Sequence, residues 1–89
     1  MSEYNKDPDA VLDYSVDWST WLGSDTISSS TWPVVPSGIT KDSDTNDTTG
    51  TTVWLSGGTA GQTYLLTNRI VTAGGRTDDR SITINITEK

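Results

Sequence analysis

Hydrophobic and polar residues alternate along much of this 89-residue chain. Leu12, Tyr14, Val16 and Trp18 share one side of an extended segment, and Asp13, Ser15 and Asp17 take the other. That period of two is the mark of a half-buried strand. Ser19 to Gly23 closes it as one helical turn, with Gly23 as the breaker. Asp25 to Trp32 predicts a Ser/Thr-rich strand, which Pro33 and Pro36 confine to a sheet edge or a turn. Pro36-Ser37-Gly38 predicts a turn, Ile39 to Asp42 a short strand, Asp42 to Gly50 a polar loop, and Thr51 to Leu55 a further strand. Gly57 to Gly61 is the strongest break in the chain. Beyond it, Thr63 to Thr72 reads as a long strand, Ala73-Gly74-Gly75-Arg76 as a hairpin tip, and Ser81 to Thr87 as a strand with Ile82, Ile84 and Ile86 inward. No stretch holds helical periodicity for more than a turn.

Six or seven short strands with turn signals every 8–12 residues predict an all-β, immunoglobulin-like sandwich of antiparallel strands. Residues 1–10 carry little apolar material and include Pro8, so they are expected to form an extended N-terminal arm ahead of a single sandwich domain over 11–89.

Composition sharpens this reading. Leu, Ile and Val number 17 and there is no Phe, an apolar share close to the level where disorder is the default. The 27 Ser and Thr, four Trp and three Tyr point the other way, because Thr and the aromatic residues favour strands. The expectation is therefore a small β domain with a thin core. His and Cys are both missing, which excludes Ser-His and Cys-His nucleophilic pairs, thiolate or imidazole zinc sites and disulfides. The longest apolar runs are about two residues, so neither a membrane span nor a secretory apolar region is expected. The Asn46-Asp47-Thr48 and Asn85-Ile86-Thr87 sequons are then coincidental. The formal charge of −6 argues against nucleic acid, whose phosphates need clustered Lys and Arg. Nine of the twelve acids fall within residues 1–47, against Lys6 and Lys41. That front is either a solvated face or one that docks on a basic partner.

Candidate chemistry is sparse. Asp42-Ser43-Asp44-Thr45-Asn46-Asp47 begins like a calcium loop, but its sixth position is Asp47 rather than Gly and its twelfth is Val53 rather than Glu. An Asx-rich surface turn is the better reading, and no metal or cofactor is expected. Carboxylates are plentiful, yet a sandwich of this size offers no cleft for glycoside hydrolysis. Tyr64, just after the glycine break, is placed to act as a tyrosine corner that bonds back to upstream backbone. Trp18 belongs to an apolar face and is expected in the core. Trp54 faces away from Val53 and Leu55 and is read as a protein interface anchor in preference to a sugar platform. Arg76 and Arg80 flank Asp78-Asp79 and suggest local ion pairs or an inter-subunit contact. Asp7, Pro8, Trp21, Trp54, Arg76 and Arg80 are the candidate interface residues, and none is catalytic.

Two stretches go beyond generic β patterning. One is Asp7-Pro8-Asp9-Ala10-Val11-Leu12-Asp13-Tyr14-Ser15-Val16-Asp17-Trp18-Ser19-Thr20-Trp21-Leu22. The other pairs Thr52-Val53-Trp54-Leu55-Ser56-Gly57-Gly58-Thr59-Ala60-Gly61 with Ala73-Gly74-Gly75-Arg76-Thr77-Asp78-Asp79-Arg80-Ser81. Over about residues 7–87 the chain resembles small virion proteins of tailed bacteriophages and prophages of the fibre–tail adaptor type. The resemblance implies a non-enzymatic structural part of the particle that docks tail fibre or tail components. It also implies several copies or a homo-oligomer, phage structural proteins as partners, and assembly in the bacterial host cytoplasm. A capsid cement or decoration protein of the same build, contacting the major capsid protein, is the alternative; a carbohydrate- or receptor-binding module is the third.

Overall fold

The strand-forming segments settle into two sheets in the computed structural model, which describes residues 2–87. The order is β1 (Ser2–Lys6), β2 (Leu12–Asp17), α1 (Ser19–Leu22), β3 (Ile27–Val34), β4 (Ile39–Asn46), β5 (Gly50–Gly57), β6 (Thr63–Thr72) and β7 (Thr77–Ile86). One sheet runs β1-β7-β6-β3 and the other β2-β5-β4. A seven-stranded immunoglobulin constant-type sandwich places its first strand beside the second, in the sheet of strands two, five and four. Here the first strand instead joins the sheet of strands three, six and seven, lying parallel on β7 from Ser2 opposite Ile82 to Lys6 opposite Ile86. The remaining pairs are antiparallel. The molecule measures 42 × 19 × 16 Å.

The core follows from strand parity. Tyr14 and Val16 from β2, Val53 and Leu55 from β5, and Leu66 and Ile70 from β6 point inward to meet Ile82, Ile84 and Ile86 from β7. Trp18, Trp32 and Ile39 complete the packing, and Leu22 of α1 closes one end. Leu12, expected on the inward face, lies at the mouth of β2 and stays 41% exposed.

Three expectations change. Residues 2–6, read as an arm outside the packed elements, form an edge strand of the larger sheet. Their attachment comes from parallel backbone pairing and two side chains rather than from apolar alternation. Lys6 is 1% exposed and its ammonium donates to the carbonyls of Asp7 and Gly57 at 2.9 and 2.7 Å. Tyr4 packs on Tyr14 with ring centroids 4.9 Å apart and donates to the Ser15 carbonyl. Second, the polar stretch after Asp42 is strand through Asn46; pairing with β5 supplies the order that polar side chains alone do not signal. A bulge between Lys41 and Ser43 interrupts that pairing, a device that spoils an exposed edge for further strand addition. Third, β7 begins at Thr77, so Asp78 and Asp79 lie within a strand rather than beside a hairpin tip.

Candidate functional site

At the start of β6, Tyr64 is buried and its hydroxyl accepts the Thr59 backbone N–H at 3.1 Å, which ties the glycine-rich loop down. Two glycines make room for this corner. Gly38 has φ +101°, and a Cβ there would lie 2.9 Å from the Tyr64 hydroxyl. Gly58 has φ +98°, and a Cβ would stand 2.6 Å from the Ile86 Cδ1 atom. L-residues rarely reach these dihedrals, so both positions select glycine.

The opposite end of the sandwich is a clasp of aromatic and cationic side chains. Trp18 and Trp21 meet edge to face with centroids 5.4 Å apart. The Arg80 guanidinium lies 4.3 Å over Trp18 and donates to the Asp17 carbonyl at 2.9 Å. The Arg76 guanidinium lies 4.2 Å over Trp21, donates to the Leu22 carbonyl at 3.0 Å and pairs with Asp25 at 3.1 Å. The Asp78-Asp79 pair therefore does not serve these arginines. Asp79 instead forms a bidentate pair with Arg69 across β6 and β7, at 2.8 and 3.0 Å. The Asp78 carboxylate accepts the Asp79 backbone N–H. The reason is strand parity: Asp79 and Arg69 face each other on the outer side of the sheet, whereas Arg80 turns inward.

Asn68 organises the clasp from beneath. Its Oδ1 accepts from the Trp18 indole N–H at 3.0 Å and from the Thr51 hydroxyl at 2.8 Å. Its amide donates to the Ser30 hydroxyl and the Thr31 carbonyl, each at 2.9 Å. Every hydrogen-bonding group of this fully buried side chain is engaged. The signal that would have found it is a polar residue at an inward position of β6, between Leu66 and Ile70. Trp32, in contrast, buries its indole N–H without a partner among the described residues.

The carboxylates are mostly local caps. Asp47 accepts the backbone N–H groups of Thr49 and Gly50, which close the β4–β5 turn and hold its carboxyl below the usual range. The Ser19 hydroxyl and N–H do the same for Asp17. The Thr72 hydroxyl, the N–H groups of Thr26 and Gly74 and the Arg76 guanidinium hold Asp25 down to about 2. Among the described residues no group of three or more carboxylates is placed to hold a metal ion. No helix among them is long and apolar enough to cross a membrane.

Trp54 stands apart from all this. Val53 and Leu55 beside it are fully buried, whereas Trp54 points outward from the three-stranded sheet and is 40% exposed. Its register partners are Asp13 on β2 and Ser43 on β4. The row on one side holds a Ser15–Thr52 hydroxyl pair at 3.0 Å; the row on the other holds Ser56 donating to Asp42 at 3.1 Å. Asp7 and Pro8 lie in the half-buried turn between β1 and β2, where the Asp7 side chain accepts the Asp9 N–H.

The described residues thus form an all-β sandwich in which several charged side chains are tied into turns and ion pairs and Trp54 is presented to solvent. The chain belongs to the podophage GP4 fiber-tail adaptor protein gp77 family, whose model matches residues 6–85. The match opens at the last residue of β1 and ends at the penultimate residue of β7, so it takes in β2 to β6 and nearly all of β7 and leaves most of β1 outside. Membership makes the protein a structural component of the phage particle. No curated protein sequence matches the chain.

Proposed function

We propose that the protein is a non-enzymatic adaptor that docks fibre or other tail components onto a podophage particle. It binds other tail proteins, is present in several copies, and is built into the particle in the host cytoplasm. The family match over residues 6–85 carries this reading. A non-catalytic role is supported by the lack of His and Cys. It is further supported by the state of a groove of about 650 Å³ lined by Tyr4 of β1, residues of β2 and Arg80 to Ile82 of β7. Tyr4 and Arg80 reach across that groove to the Ser15 and Asp17 carbonyls, so its strongest polar groups stitch the two sheets together.

Copy number in purified particles tests the assignment. About a dozen copies or fewer fit a tail vertex, whereas hundreds fit a symmetric shell and would replace the adaptor role with that of a capsid cement. Particles lacking the gene are expected to carry DNA-filled heads without fibres.

A further inference from the structure

We infer that the outer face of the three-stranded sheet, centred on Trp54, docks on a basic patch of a different tail protein. This deepens the adaptor reading and rests on it. A solitary exposed apolar residue is ordinary on a protein surface. Trp54 differs in its setting. It sits on the central strand of its sheet, held between β2 and β4, so it is presented on rigid backbone rather than on a loop. The Ser15–Thr52 hydroxyl pair on one neighbouring row and the Ser56 hydroxyl on the Asp42 carboxylate on the other give the indole no apolar cover. Val11, 57% exposed and two residues ahead of Asp13, adds a second apolar side chain just beyond the end of β2. A preorganised aromatic inside a polar frame is the arrangement of an interface anchor.

Charge selects the occupant. Asp13 and Asp42 flank Trp54, and the ion pairs among the described residues, Lys41–Asp44, Arg69–Asp79 and Arg76–Asp25, involve neither. Lys6 is spent on the Asp7 and Gly57 carbonyls and Arg80 on Trp18 and the Asp17 carbonyl. Every described cation is thus used inside the fold. A second copy would bring the same acidic surface and a further charge of −6. The complement is a surface with an apolar pocket for the indole and Lys or Arg at its rim, where a cation can also lie over the Trp54 ring. The outer face of the other sheet lacks this character. Leu65 and Val71 are exposed there, but Thr63–Asn85, Thr67–Ser81 and Arg69–Asp79 neutralise and satisfy its polar groups.

The test uses phage particles assembled without this gene product and supplied with the purified full-length chain. The wild type is expected to incorporate, and to do so less well as salt rises from about 0.05 to 0.5 M. Trp54→Ala should raise the concentration needed by on the order of 30-fold, the loss typical of a central aromatic anchor. Asp13→Asn with Asp42→Asn should weaken incorporation and flatten its salt dependence. Leu65→Ala on the opposite face is the control and should behave as wild type. Wild-type incorporation with undiminished binding by Trp54→Ala overturns the docking face and leaves the adaptor role standing. Failure of the wild type to incorporate overturns the adaptor role itself. Wild-type dimerisation that Trp54→Ala abolishes assigns the face to a second copy and also overturns the proposal.

Discussion

The clasp around Trp18 and Trp21 and the face around Trp54 are both aromatic surfaces with charged neighbours, yet they are in opposite states. In the clasp, Arg76 and Arg80 each cover an indole and donate to a backbone carbonyl, and Asn68 satisfies the Trp18 N–H from below. At Trp54, the indole is half in solvent and the flanking Asp13 and Asp42 enter no ion pair among the described residues. The clasp is also where two of the distinctive sequence stretches meet, Asp17 to Leu22 against Arg76 to Arg80. A distinctive motif can thus mark a folding constraint, while the surface available to a partner lies on a less conspicuous strand. Saturation of hydrogen-bonding and stacking capacity, rather than residue type, separates the two.

That contrast can be broken most severely at Asn68. Asn68→Ala leaves the Trp18 N–H, the Thr51 hydroxyl and the Thr31 carbonyl buried without their partner, and is expected to cost about 3–5 kcal/mol in urea unfolding. A loss under about 1 kcal/mol would show that the clasp does not depend on it. Tyr64→Phe removes only the acceptor for the Thr59 N–H and is expected to cost about 1–2 kcal/mol. Arg80→Ala, losing a stacked cation and one hydrogen bond, should cost about 1 kcal/mol, and Arg80→Lys should not restore it fully because an ammonium lacks the flat stacking surface. Trp54→Ala is expected to change stability by less than about 0.5 kcal/mol while weakening incorporation into particles. A large loss of stability there would make Trp54 a structural residue and erase the distinction.

Acid titration sharpens the same comparison. Asp25, at the clasp, titrates near 2 in the folded protein against a usual value of 3.8. Because the folded value is the lower one, the carboxylate's contribution is complete above the usual value and disappears as pH falls from about 4 towards 2. Asp17, Asp47 and Asp79 are lowered as well and act in the same direction. The melting temperature should therefore drop across that window, and Asp25→Asn should make the drop shallower. An unchanged acid profile for Asp25→Asn would dissociate Asp25 from the stability of the clasp.

Much of the architecture is legible in the pattern of residues. The bounds of β6 coincide with the predicted Thr63–Thr72 strand, the Ile82, Ile84 and Ile86 face is inward, and Pro33 lies in β3 at a sheet edge. Segments whose order is lent by a neighbour were not legible. β1 is held by β7 and by Lys6, and the polar half of β4 by pairing with β5. At the candidate site, alternation shows that Trp54 faces opposite to Val53 and Leu55, and the packing of those two into the core turns Trp54 outward. Its acidic frame is not legible in the sequence, because Asp13 and Asp42 lie 41 and 12 residues away along the chain and are brought beside it by register.

The sequence by itself determined an all-β chain, its inward faces, its hairpin tips and the absence of imidazole and thiol chemistry, because these depend on local periodicity and residue inventory. Tertiary structure alone decided which sheet receives the first strand and which arginine meets which carboxylate or indole. It also decided that Trp54 stands beside two acids, Asp13 and Asp42, that enter no ion pair among the described residues. Those outcomes turn on which distant segments come within hydrogen-bonding and stacking range, and a period of two along one strand carries no information about its partner.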